Sequence, residues 1–280
     1  MHYAKVKGIL SAQNGMNIYR GCTHGCIYCD SRSRCYGFTH EFEDIEVKEN
    51  ALELLENALR RKRKKCMIGT GAMTDPYIPL EKQLGNMRGA LELVYKYGFG
   101  ITFQTKSDLA LRDLDLLCKI NEKTKCVVQT TLTTADEELC KKIEPNVCTT
   151  AARVKMLEVL RDNGIPTVVW LCPILPYIND TADNINGILD YCESAGVRGI
   201  INFGMGLTLR DGNREYYYAA LDRLFPNLKE RYIREYGSRY EVGSPRAAEL
   251  YALYRSRCEK SGIMHDNAKI FAYLHEFPSQ

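Results

Sequence analysis

Gly100-Ile101-Thr102-Phe103-Gln104-Thr105 and Cys126-Val127-Val128-Gln129-Thr130-Thr131 are two β-prone runs flanking a helical stretch, Asp113 to Asn121. In that stretch Leu114, Leu117 and Ile120 recur every three positions, and Leu116 lies four before Ile120, the spacing of one helix face. A strand, a helix and a second strand in this order predict two parallel strands joined by a right-handed crossover. The same alternation extends outward. Further strands are expected at Met16–Tyr19, Cys66–Gly69, Thr167–Cys172 and Gly199–Phe203, and helices at Asn50–Arg61, Leu84–Tyr97, Thr150–Asn163 and Thr181–Ala195. Gly164 and Gly196 stand where helices end, and Asp180 or Thr181 can cap the last one. Six such units are too few for a closed eight-stranded barrel, which leaves an open or partial barrel or a doubly wound sheet. After Phe203 the pattern turns helical, over Arg214–Phe225, Leu228–Tyr236 and Arg246–Gly262. We therefore expect an α/β core over residues 1–205 and an α-helical C-terminal extension over 206–280, packed on the core.

Length and composition agree. The chain has 280 residues, enough for one large core, and 45% hydrophobic against 26% charged residues excludes disordered and fibrous classes. A net charge of +3 is too mild to imply a polyanion partner by itself. The longest apolar stretch, Val168 to Ile178, is broken by Pro173 and Pro176 and is too short to span a bilayer, and Met1–Gly8 has no signal-peptide core. A cytoplasmic protein with no membrane partner is expected, with its thiols reduced. Twelve cysteines are then a surplus that points to metal or catalysis rather than disulfides. Eight are scattered singly, several in apolar runs. Cys22, Cys26 and Cys29 cluster, with Cys35 nearby.

In parallel α/β folds ligands bind at the carboxyl ends of the strands. Arg20-Gly21-Cys22-Thr23-His24-Gly25-Cys26-Ile27-Tyr28-Cys29-Asp30 follows the first strand directly, so its three thiols sit at that end. A short loop with three thiolates can wrap a cubane, one sulfur per iron, leaving the fourth iron open for a chelating ligand. A zinc knuckle completed by Cys35 or His24, or a four-cysteine electron-transfer cluster, is the alternative.

This loop, with aromatic Tyr28 just before its last cysteine, resembles the radical S-adenosylmethionine (radical SAM) superfamily. The resemblance implies a partial (β/α)6 TIM-like barrel and a [4Fe–4S] cluster whose open iron binds S-adenosylmethionine. Reductive cleavage would then give a 5′-deoxyadenosyl radical for hydrogen abstraction, with electrons from an external flavodoxin- or ferredoxin-like donor. Thr74-Asp75-Pro76-Tyr77 with Glu81, Thr105-Lys106-Ser107 with Arg112-Asp113, Glu144-Pro145 with Arg153, and Pro173 to Asp180 follow successive strands. Together they resemble the branch that contains spore photoproduct lyase and its DNA repair photolyase-like relatives.

On that resemblance, Cys22, Cys26 and Cys29 are the cluster ligands and Tyr28 lies against the adenine. Thr74, beside Asp75, sits near the methionine end, and Lys106 pairs with the methionyl carboxylate. Thr130 and Thr131 bond the ribose or amino acid, and Arg153 orients the cofactor or pairs with Glu144. No catalytic residue is assigned. The lyase's hydrogen-donating cysteine is missing, because that stretch reads Gly71-Ala72-Met73; the lyase reaction itself is therefore not expected. Nucleic acid is the substrate class the branch implies. Modification of a small molecule or protein is the alternative, and a non-catalytic Fe–S or zinc module the reading outside enzymes.

Other features have plain structural readings. The run Arg60-Arg61-Lys62-Arg63-Lys64-Lys65 precedes a strand and so belongs to the face opposite the cysteines, as a solvated helix end. Arg20, Arg32, Arg34, Arg112, Arg210 and Arg214 are the cations within reach of a polyanionic substrate. Tyr216-Tyr217-Tyr218 is expected to pack in the core, and Gly204-Met205-Gly206-Leu207 either lines the substrate cavity or only makes a turn.

Overall fold

The computed structural model describes residues 1–278. Six parallel strands form one curved sheet in sequence order: β1 (Gly15–Met16), β2 (Met67–Thr70), β3 (Gly100–Gln104), β4 (Cys126–Thr131), β5 (Thr167–Trp170) and β6 (Gly199–Ile201). Neighbours are in register through Ile68 opposite Ile101, Phe103 opposite Val128 and Val169 opposite Ile200. The architecture is a partial (β/α)6 TIM-like barrel. Every residue of β4 is buried, as both faces of a central parallel strand are covered.

The helices α1 (Ala51–Arg61), α2 (Asn86–Tyr97), α3 (Leu114–Lys123), α4 (Thr150–Asp162) and α5 (Ala182–Ser194) follow β1 to β5 in turn. Each buries one stripe: Ala51, Leu55 and Leu59 on α1, and Met87, Ala90, Leu91 and Val94 on α2. The Thr181 hydroxyl, rather than Asp180, caps α5 by accepting from the Asn184 amide at 3.1 Å. Asp180 is engaged elsewhere, with Ser244 Oγ. Gly164 and Gly196 close α4 and α5 with φ of 70° and 63°.

Several elements lack a clear sequence signal. The expected first strand divides, so that Gly15–Met16 stays in the barrel while Tyr19–Arg20 joins a separate sheet with His2–Ala4 and Glu46–Lys48. Short helices occupy Glu137–Ile143 and Asn267–His275. The segment beyond residue 205 is not purely helical: Gly206–Thr208 pairs antiparallel with Glu241–Gly243, three-residue strands too short to show a period. Among the described residues no helix is long and apolar enough to cross a membrane.

Candidate active site

A cavity of about 810 Å³ opens at the carboxyl ends of the barrel strands. One side is formed by the loop after β1. Gly21 has φ of 92°, and a Cβ there would lie 2.5 Å from the Phe42 carbonyl oxygen, which is also the acceptor for the Cys22 amide at 3.1 Å. Further along, the Ile27 amide donates to Ile143 O at 3.0 Å, and Asn146 bonds the carbonyls of His24 and Thr23 at 3.1 and 2.9 Å. The cysteine loop is thus clamped between residue 42 and residues 143–146. Gly21→Ala must move one of these walls, and the expected outcome is lost iron on reconstitution together with a lower thermal midpoint. Iron retained at the wild-type level would refute it.

Cys22, Cys26, Tyr28 and Cys29 line the cavity with His24, Asp75, Gln104, Thr105 and Lys106. The Asp75 carboxylate accepts from the Tyr77 amide at 2.8 Å, Thr105 Oγ1 at 2.7 Å and the Lys106 amide at 2.7 Å, so it ties the loops after β2 and β3 together. His24 Nδ1 lies 3.4 Å from the same carboxylate, yet burial holds its pKa below the ordinary histidine value and the ring is neutral at pH 7. Lys106 Nζ sits 5.8 Å from the Tyr28 ring centroid and has no hydrogen-bond or ion-pair partner among the described residues. Burial pulls its pKa down, but attraction to acidic neighbours, the Glu144 carboxylate among them, outweighs that and the ammonium is retained.

Burial, then Asp75, pushes the Cys22 thiol up to about 12, and burial raises Cys26 as well. Without a bound cation both remain protonated at neutral pH; a metal would deprotonate them outright. Among the described residues the donor atoms of only one histidine, cysteine or acidic trio, His2, His40 and Asp44, lie within 4.8 Å of one another. The loop cysteines therefore do not converge with each other, or with His24 or Cys35, as one tetrahedral zinc would require, where thiolates about 2.3 Å from the metal lie within about 4 Å of one another. Separated thiols around a roomy cavity fit a group that offers each sulfur its own iron. Lys106 fits a ligand carboxylate in the same way.

The structure does not bring the remaining expected residues to the cavity wall. Arg153 is fully buried and pairs with Glu144, while its Nη1 donates to Thr131 O at 2.7 Å and its Nε to Cys148 O at 3.2 Å. Glu144 also accepts from the Tyr28 hydroxyl, so Arg153 reaches the cavity lining through its partners and not directly. Thr130 Oγ1 donates to Thr105 O at 2.7 Å, and Thr131 Oγ1 accepts from Gln104 Nε2 at 3.0 Å. Thr74 is buried and is not among the residues that line the cavity.

Cys35 is exposed, 3.6 Å from Arg210 Nη1, and outside the cavity. Of the tyrosine run, Tyr217 is buried against Tyr232, with their hydroxyls 3.0 Å apart, and Tyr216 carries Arg32 over its ring. In the basic run Lys65 lies over the Phe99 ring, and Arg60 bonds Asn57.

Of the outer wall, the sequence suggested only the Gly204-Met205-Gly206-Leu207 loop. Cys172 and Phe203 join Gly204, Met205, Gly206 and Leu207 there, facing Tyr240 and Val242 from the far strand. Phe203, 64% exposed, was legible only as a strand end, and Tyr240 lies next to a strand with no periodic signal.

The six arginines near this end are committed. Arg20 donates to two carbonyls and Arg214 to four; Arg32, Arg34, Arg112 and Arg210 pair with Glu43, Asp211, Glu81 with Asp113, and Asp30.

A family model described as the Radical SAM superfamily matches residues 16–192. An uncharacterized protein of Mycobacterium tuberculosis is 31% identical over 260 residues, which is 86% of this chain and 74% of that protein. The radical SAM Nα-GlyT isomerase of Pseudomonas phage M6 is 22% identical over 253 residues, covering 87% of this chain and 51% of that one. Among solved structures, spore photoproduct lyase complexed with dinucleoside spore photoproduct aligns with a TM-score of 0.64 at 14% identity, over 89% of this chain and 74% of that chain; the two share a fold.

Proposed function

Since this chain belongs to the radical SAM superfamily, we propose that it holds a [4Fe–4S] cluster on Cys22, Cys26 and Cys29, binds S-adenosylmethionine beside it, and abstracts a hydrogen atom from a substrate admitted past Phe203, Met205 and Tyr240. The observation that carries this reading is one cavity collecting three cysteines that do not converge on a single ion and a lysine ammonium with no partner among the described residues. When bound, the two groups supply the one-electron chemistry that yields a 5′-deoxyadenosyl radical. The chain supplies the rest. Lys106 offers its ammonium to the methionyl carboxylate, held in place by the Asp75 bond to its amide. Tyr28, fixed at its hydroxyl by Glu144, offers a ring face for an adenine. Residues 1–205 then form the catalytic core, and the segment from 206 onward completes the cavity's outer wall. The electron comes from an external flavodoxin- or ferredoxin-like donor.

The outer wall also narrows the substrate. Its apolar and aromatic lining, with no uncommitted arginine at its rim among the described residues, suits an apolar or aromatic moiety rather than a run of phosphates. A nucleic-acid substrate, the class suggested by the ligand of the similar lyase structure, would on this reading be held through a base. Binding of such a substrate should then depend weakly on salt; a steep fall of log K with log salt, several units per decade, would contradict it.

The enzyme reading is tested on protein purified without oxygen, reconstituted with iron and sulfide, reduced, and given S-adenosylmethionine. Release of 5′-deoxyadenosine supports it; full iron loading without release, or a single tightly bound zinc in place of iron, overturns it. Lys106→Ala should weaken S-adenosylmethionine binding by about 10–100-fold, the size of a charged hydrogen bond, and leave the iron content unchanged. Lost iron in that variant would contradict the role given to Lys106.

A further inference from the structure

A second group of donor side chains lies outside the cavity, where His2–Ala4 runs parallel to Glu46–Lys48 with His2 opposite Glu46. The donor atoms of His2, His40 and Asp44 lie within 4.8 Å of one another, and Glu46 Oε2 lies 3.9 Å from His2 Nε2 and 4.0 Å from His40 Nε2. The two imidazoles meet edge to face, with centroids 4.7 Å apart.

The tautomer of His40 follows from its surroundings. Its Nδ1 lies 2.9 Å from the Glu41 carbonyl, which can only accept, so Nδ1 carries a proton and, in the neutral ring, Nε2 is the nitrogen with the lone pair. That Nε2 is buried and has no hydrogen-bond partner among the described residues. A buried acceptor with no donor is costly, and the nearest side-chain groups, a carboxylate and a second imidazole, do not relieve it. A cation would. Imidazoles that bind metals commonly give Nδ1–H to a carbonyl or carboxylate and Nε2 to the ion. His2 Nδ1 likewise has a carboxylate beside it, Asp44 Oδ2 at 2.8 Å, while Asp44 Oδ1 takes the Met1 amino group at 2.8 Å.

We propose that His2, His40 and the Glu46 carboxylate, with Asp44 orienting His2, bind a divalent first-row transition-metal ion of the zinc type, at a site separate from the cysteine-lined cavity. Two imidazoles with a carboxylate suit Zn²⁺ or Co²⁺, whereas Mg²⁺ and Ca²⁺ prefer oxygen alone. His2 and Asp44 are 40% and 39% exposed, so the ion can enter from solvent, while His40 and Glu46, at 16% each, form the floor. The site would rivet the first strand to the loop behind the cysteines: His40 packs on Phe38, Phe38 on Phe42, and the Phe42 carbonyl receives the Cys22 amide. This inference stands independently of the proposed reaction.

The test uses the full chain tagged only at its C-terminus, so that His2 keeps its surroundings, stripped with EDTA and titrated with Co²⁺ and Zn²⁺. Wild type is compared with His2→Gln, His40→Ala and a triple variant carrying Cys22→Ala, Cys26→Ala and Cys29→Ala. We expect about one Co²⁺ per chain, with visible absorption lacking thiolate charge transfer, retained in the triple variant. Both histidine variants should bind at least about tenfold more weakly. Zn²⁺ should raise the thermal midpoint of wild type and not that of the histidine variants. Equal Co²⁺ binding by wild type and His2→Gln overturns the proposal even if His40→Ala does not fold. So does binding that vanishes with the cysteines, or no binding at about 1 mM metal.

Discussion

Cys26→Ala is expected to abolish iron binding and with it all release of 5′-deoxyadenosine, while Cys35→Ala leaves both at the wild-type level. The contrast follows from placement. Cys26 lies in the cavity wall among the other two loop thiols, on a backbone clamped from both sides, whereas Cys35 lies outside on the exposed turn beside Arg210. Two remaining thiols could still chelate a single ion, but they cannot hold a cubane at three corners. Cys22→Ala and Cys29→Ala should behave as Cys26→Ala does. Iron and acid-labile sulfide per chain, read with the absorption of the reconstituted protein, provide the measurement. Iron retained in Cys26→Ala and lost in Cys35→Ala would place the cluster elsewhere.

Glu144→Gln is expected to cost about 3–5 kcal/mol, because it leaves the fully buried Arg153 guanidinium without its counter-charge. For a chain of this size that is a fall in thermal midpoint on the order of 10 °C. A double variant, Glu144→Leu with Arg153→Met, should recover much of the loss, since it buries no unpaired charge. Acid should narrow the gap. Although burial pushes the Glu144 carboxyl up, Arg153 and Lys106 outweigh it and hold its pKa below the ordinary carboxylate value. The stabilisation is then fully present above the unfolded glutamate pKa, about 4.3, and is lost as pH falls through the lower folded value. Denaturant melts of wild type and Glu144→Gln at pH 7 and at successively lower pH check both size and direction. A difference of under about 1 kcal/mol at pH 7 would show that the pair is replaceable. Because Glu144 also holds the Tyr28 hydroxyl, the same variant should weaken S-adenosylmethionine binding even below its melting range.

Much of the barrel was legible because its signals are local. The apolar strands β2 to β6 and the three-and-four spacing of α1 to α5 follow from short stretches whose burial is dictated by the pleat and the helix turn. The cysteine loop was legible for the same reason, since its spacing and its place after a strand are both properties of contiguous sequence. Arg153 shows the limit. Its position after β4 suggested the cofactor or Glu144; burial and four hydrogen-bonded neighbours place it with Glu144.

By itself, then, the sequence determined the order of strands and helices, the strand ends at which a site must lie, and which three thiols could share it. The tertiary structure alone decided how Asp75 anchors the Lys106 loop and that Cys172, Phe203 and Tyr240 complete the wall facing those thiols. It alone also brought His2 to His40, 38 positions apart in the chain. The reason is physical. Periodicity records which face of an element is buried, a local property, whereas the meeting of side chains from distant loops depends on sheet curvature and close packing, which no short stretch of sequence encodes.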